Sequence, residues 1–143
     1  MAVQVLFHLE FSPDDPSEVF DLICENFEAP ESIREFSKML VLGVCNKKDR
    51  LDWAISQSSK NWRIDRMTRL DRSILRLAVF EMMFVPDVPP KVSLDEAVEI
   101  GKIFGSEDSG RYINGVLDHI YNTIIKEQSE GAELTEGAIE HEI

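Results

Sequence analysis

A chain of 143 residues is long enough to bury a core of its own, about two-thirds of the surface its unfolded form exposes, so it reads as one self-folding domain. Its formal charge of -12, from 15 Lys and Arg against 27 Asp and Glu, argues against a uniformly basic nucleic-acid binder. Two cysteines far apart in sequence exclude a disulfide scaffold or a zinc cluster, and Cys24 and Cys45 read as buried thiols of a reducing cytosol.

The opening stretch, "MAVQVLFHLE", has helical spacing, with Val3, Leu6 and Phe7 on one face, yet no capping residue precedes it. "SPDDPSE" is then a turn, in which Asp15 caps, Pro16 takes the first helical position and Glu18 closes a box ahead of "VFDLICENF". After "EAPES", a long helix is expected from about Ser32 to Ser58, with Ile33, Phe36, Met39, Leu40 and Val44 as its stripe, continued by Leu51 and Ile55. Thr68 and Asp71 mark the start of a further helix running to about Val85, where "PDVPP" stops it. Ser93 with Glu96 reads as the cap of the next helix, which Gly105 ends. The last helix, from about Asp108 to Lys126, carries Ile113, Val116, Leu117, Ile120 and Ile124 on one face. Strand patterning is scarce, so the fold class is all-α, most simply two packed three-helix bundles of about six to seven helices. The domain is expected over 1–126. Residues 127–143 hold six Glu and no Lys or Arg, and read as an acidic, disordered tail.

The run from Ser73 to Val85 is apolar nearly all round but contains Arg76 and Glu81, and is too short to span a membrane. No signal-peptide pattern opens the chain. A cytoplasmic location is expected.

Catalytic chemistry finds little support. There is no Gly-rich phosphate loop and no His-Glu-x-x-His, and His8, His119 and His141 are too scattered to form a ligand set, so no catalytic residue, metal or cofactor is nominated. His119 reads as an ordinary half-exposed residue. Arg63, Arg66, Arg69 and Arg72 recur every third residue, but successive steps drift by about 60° on an α-helix, so they cannot form one face. Either structural ion pairs or phosphate contacts would account for them, and Asp65 could pair with Arg69 one turn on. Arg76 and Glu81, about 140° apart on their helix, cannot pair with each other. Arg76 is expected to find its partner inside the fold, and Glu81 to face a groove edge where a protein docks.

The segment "GSEDSGRYINGV" has the strongest features for recognition. A helix N-terminus favours anions, Arg111 can pair with phosphate, and the Tyr112 ring can stack on an unpaired base. Asp108 repels phosphate, and can instead cap the helix or accept from a base amino group. A plain capped helix start with a half-buried Tyr explains the same residues. Gly115, inside a helix, suggests close backbone packing there.

Residues 70–118, "LDRSILRLAVFEMMFVPDVPPKVSLDEAVEIGKIFGSEDSGRYINGVLD", resemble the C-terminal half of the NusB family of bacterial transcription antitermination factors, and "AVQVLFHLEFS" resembles the later part of that family's first helix. The resemblance implies two three-helix bundles and no enzymatic activity. It implies binding to boxA RNA together with NusE, a small-subunit ribosomal protein, within RNA polymerase antitermination complexes serving ribosomal RNA operons. Carried over by motif, Asp108, Arg111, Tyr112 and Gln4 would face RNA, and Glu81 and Phe7 would lie at the NusE surface. That surface could equally take a second copy of the chain, giving a homodimer. NusB-like domains also open ribosomal RNA cytosine methyltransferases, but no strand and Gly-rich loop for a methyl donor is present. One departure stands out: the family's arginine-rich leading segment should already have ended where Met1 stands, and the first basic residue is Arg34. Weak boxA binding without NusE is therefore expected, and a protein-interaction module that has lost RNA binding is the alternative.

Overall fold

The computed structural model describes residues 2–11, 14–25, 27–59 and 67–126. Trp62, Arg63, Asp65, Arg66 and the acidic tail lie outside the described residues. Seven α-helices occur among those described: α1 (Ala2–Leu9), α2 (Pro16–Cys24), α3 (Glu31–Asn46), α4 (Lys48–Ser58), α5 (Arg69–Phe84), α6 (Pro90–Phe104) and α7 (Ser109–Ile120). A π-helical turn, Tyr121–Ile125, continues α7. Helices α1, α2 and α3 pack on one another, α6 and α7 pack on one another, and α5 lies against both groups and against α4. One core cluster draws buried residues from all seven.

Local signals set several helix starts. The Asp15 side chain accepts from Glu18 N at 3.2 Å, with Pro16 at the first helical position. Thr68 Oγ1 accepts from Asp71 N at 3.1 Å. At the start of α6 the expectation fails: Pro89 and Pro90 open the helix, and Ser93 sits one turn inside it, buried. Proline at the first helical position needs no amide partner, so the helix starts earlier than a Ser cap would place it.

The long helix expected over 32–58 is broken at Lys47, with φ -104° and ψ 15°. The hydrogen bonds to either side survive, Lys47 N to Gly43 O at 2.9 Å and Leu51 N to Lys47 O at 3.0 Å. The chain therefore turns without unwinding, which lets α3 pack on α1 and α2 while α4 reaches α5 and α7.

Two buried faces are rotated from expectation. On α1, Ala2, Val5 and Leu6 face the core and Phe7 is 37% exposed. This rotation carries Glu10, one turn beyond Leu6, onto Arg72 and Arg76 of α5. On α3, Ser37, Leu40, Val41 and Val44 are buried, whereas Ile33, Phe36 and Met39 are exposed. Gly43 fixes that rotation, because a Cβ there would stand 2.1 Å from the Phe80 ring. Gly115 reverses its expectation: it is exposed, and no atom lies within 4 Å of where its Cβ would be.

Candidate recognition surface

The turn between α6 and α7 is built around Ser109, whose side chain is buried. Its Oγ accepts from Ser106 N at 2.9 Å, lies 3.0 Å from Ser106 Oγ and donates to Asp71 Oδ2 at 3.1 Å. Thr68 caps α5 at the same Asp71, so the first turns of α5 and α7 are tied through one carboxylate. Only glycine fits at 105, since a Cβ would meet Ser109 Oγ at 2.5 Å and Gly101 O at 2.7 Å. At Gly110 a Cβ would lie 2.7 Å from the exposed Lys102 side chain, which would have to shift. The turn is thus fixed from both sides.

What it presents outward is Asp108 and Arg111, both exposed. Asp108 makes no capping hydrogen bond, so the serines do the work that its carboxylate might have done. Arg111 enters none of the ion pairs among the described residues.

Tyr112 is half-buried, as a plain capped helix start would leave it. It packs against the core, and its hydroxyl oxygen is inside. Burial, reinforced by the Asp71 charge and opposed by a hydrogen bond with Ser59, pushes the phenol up to about 12. Its hydroxyl is therefore a structural group. Gln4 is exposed on α1, a helix whose packing partners are α2, α3 and α5. His119 is exposed, its Nδ1 2.9 Å from Ser58 Oγ.

The two expected docking residues lie on different helices, Phe7 on α1 and Glu81 on α5. Phe7 meets Phe11 edge-to-face at 5.2 Å, and the Arg69 guanidinium lies over the Phe11 ring at 4.3 Å. Glu81 is half-buried twelve residues further along α5 from Arg69, about 18 Å along the helix axis. Sequence reasoning missed Phe11 and Arg69 as members of the aromatic cluster; the i, i+4 spacing of Phe7 and Phe11 was the available signal.

The arginines beside this surface divide by role. Arg76 holds Asp52 through Nε and Nη2, at 2.7 and 2.9 Å, and Glu10 through Nη1 at 2.5 Å. Arg72 reaches Glu10 at 2.9 and 3.2 Å. Burial alone would raise the Glu10 carboxyl, but the Arg72 hydrogen bond and the charges of Arg76 and Arg72 outweigh it and leave it below its ordinary value. These two arginines are structural clamps between α1, α4 and α5. The thiols of Cys24 and Cys45 are both pushed up by burial. No helix is long and apolar enough to cross a membrane, and no group of three or more His, Cys, Asp or Glu among the described residues could hold a metal ion.

A seven-helix domain that fixes a charged turn from behind and leaves aromatic and acidic surfaces uncovered is built as an all-α recognition module. The NusB family model matches residues 1–122. The transcription antitermination protein NusB of Syntrophus aciditrophicus is 45% identical over 130 residues, covering 91% of this chain and 81% of that protein. Among solved structures, T. maritima NusB superposes with a TM-score of 0.78 at 32% identity, covering 85% of this chain and 86% of that one. A crystal structure of antitermination factors NusB and NusE in complex with dsRNA superposes with a TM-score of 0.76 at 28% identity, covering 85% and 90% of the two chains. This chain belongs to the NusB family.

Proposed function

We propose that this protein is a transcription antitermination factor that binds boxA RNA together with NusE and joins RNA polymerase antitermination complexes on ribosomal RNA operons, in the cytoplasm. The observation that carries the reading is the turn at 105–111. It is held rigidly by Asp71 and Ser109 and offers Arg111, an exposed guanidinium, for phosphate, and Asp108, an exposed acceptor, for a base amino group. Family membership and a NusB relative solved with NusE and dsRNA support it. The aromatic cluster of Phe7, Phe11 and Arg69 is the proposed NusE contact, because exposed aromatics beside an arginine have the composition of an interface centre. Gln4 is proposed as an RNA contact on the resemblance alone.

The formal charge of -12 favours one further reading, a protein adaptor that binds NusE or a second copy of itself without RNA. Titrating labelled boxA RNA with wild-type protein and with Arg111→Ala, each with NusE present, separates the two. An RNA binder loses affinity in the variant. An adaptor shows no sequence-dependent RNA signal in either.

A further inference from the structure

An open groove of about 750 Å³ runs between α3 and the last turns of α5. Its walls are Met39 and Leu42 of α3 and Phe84 of α5, which stand 42%, 38% and 39% exposed. Its floor is the Phe80 ring, seated on Gly43 where any other residue would carry a Cβ, and 5.3 Å from the Phe84 ring. None of these residues belongs to the surfaces assigned above to RNA or NusE. Large apolar side chains left open side by side on a folded chain mark a contact site. The charges sort by end. At one end Glu35 and Lys38 line the groove, and Asp21 holds Lys38 at 3.0 Å, which leaves Glu35. At the other, Lys47 lies over the Phe84 ring at 5.6 Å, and Arg50, three residues on, lies over the exposed Trp53 ring at 5.1 Å. Glu35, Lys47 and Arg50 enter none of the ion pairs among the described residues.

From Glu35 to Lys47 is twelve residues of chain, about 18 Å along a helix, which matches three turns of a second helix laid alongside. An amphipathic helix with apolar anchors at i, i+4 and i+7 would cover Met39, Leu42 and Phe84. Its direction follows from the end charges. A helix is partly positive at its N-terminus and partly negative at its C-terminus, so the first turn belongs beside Glu35 and the last beside Lys47. Acidic side chains in that last turn would meet Lys47 and Arg50. Single-stranded RNA is a poorer fit, because it needs cations along its whole path, and here Glu35 and the apolar walls take up most of the length. A basic segment would meet Lys47 and Arg50 as like charges. We propose that this groove receives an amphipathic helix of a partner protein, acidic in its last turn, with its N-terminus at Glu35 and its C-terminus at Lys47.

Three synthetic peptides of about 16 residues, long enough to hold a helix on a surface, serve as probes. One carries leucines at helical spacing with Glu in its last two turns, the second has Lys in place of each Glu, and the third scrambles the first. Each is titrated into the full-length nitrogen-15-labelled protein and followed by NMR. The Glu peptide should bind at least tenfold more tightly than the other two, with shifts centred on Met39, Gly43, Lys47 and Phe84. Leu42→Glu should abolish its binding, and Lys47→Glu/Arg50→Glu should turn the preference toward the Lys peptide. A spin label on the N-terminus of the Glu peptide should broaden Glu35 more than Lys47. No binding at millimolar peptide, Glu and Lys peptides within twofold of each other, or shifts centred elsewhere would each overturn the proposal. Displacement of the peptide by NusE or by oligouridylate overturns it by giving the groove to that partner. Self-association that Leu42→Glu abolishes overturns it in favour of a second copy. Movement of the resonances of residues 127–143 on Leu42→Glu, with no peptide present, overturns it in favour of the chain's own acidic segment.

Discussion

Replacing Ser109 by Ala tests whether the recognition turn is held as described. The change removes one oxygen with almost no loss of volume, so no cavity contributes. It removes the donor to Asp71 Oδ2 and the acceptor of the Ser106 amide. Asp71 is buried and its Oδ1 already has no hydrogen-bond partner, so the variant strands a buried carboxylate. An unsatisfied buried polar group costs about 1–3 kcal/mol and a lost cap about 1 kcal/mol, so Ser109→Ala should destabilise by about 2–4 kcal/mol. That is a large share of the roughly 5–15 kcal/mol of a typical domain. Urea unfolding followed by circular dichroism should show the lower midpoint with an unchanged m-value. The double variant Asp71→Asn/Ser109→Ala should cost less than the sum of the single changes, because the neutral side chain removes the charge that the first change strands. A loss under about 0.5 kcal/mol for Ser109→Ala, or strict additivity, would refute the coupling of α5 to α7 through Asp71.

Other consequences follow from the clamp and the glycine. Glu10→Gln should destabilise at pH 7 by about 1–2 kcal/mol, less than a broken fully buried pair because Glu10 is only partly buried and Arg76 keeps Asp52. Because the Glu10 carboxyl is held below 4.5 in the fold, its contribution is complete above 4.5 and disappears as pH falls through the folded value. The gap between wild type and variant in urea midpoint should therefore close in acid; a gap constant from pH 7 to pH 2 would contradict the ion pair. Gly115→Ala should stabilise by about 0.5–1 kcal/mol, because the position is helical and open. Thermal unfolding should show a rise of about 2–4 °C, and a fall would mean that the glycine serves packing after all.

Features encoded within a few residues of chain were legible in the sequence. The caps at Asp15 and Thr68, the stop at Gly105 and the apolar character of α5 are local, and the structure has them where the pattern placed them. The NusB family was legible from the motifs of residues 70–118, which the family match over residues 1–122 supports. Long-range facts were not. Val3, Leu6 and Phe7 and the set Ala2, Val5 and Leu6 satisfy helical spacing equally, and only the reach of Glu10 to Arg72 and Arg76, more than sixty residues away, selects between them. The break at Lys47 has no proline or glycine to announce it. Whether a helical glycine is packed, as Gly43 is against Phe80, or open, as Gly115 is, depends on a neighbour that the local sequence does not name. Among the site residues, exposure of Asp108 and Arg111 followed from their polarity, whereas the inward hydroxyl of Tyr112 depends on burial beside α4 and Ser59.

That the turn at 105–111 grips boxA RNA is tested most directly by fluorescence anisotropy of labelled boxA RNA against a scrambled RNA, with NusE present, for wild type and Arg111→Ala at several salt concentrations. Wild type should prefer boxA, and the variant should bind more weakly, with a salt slope shallower by about 0.7 for each phosphate of single-stranded RNA that is no longer neutralised. Equal binding of boxA and scrambled RNA by wild type, or an Arg111→Ala variant indistinguishable in affinity and slope, would contradict it.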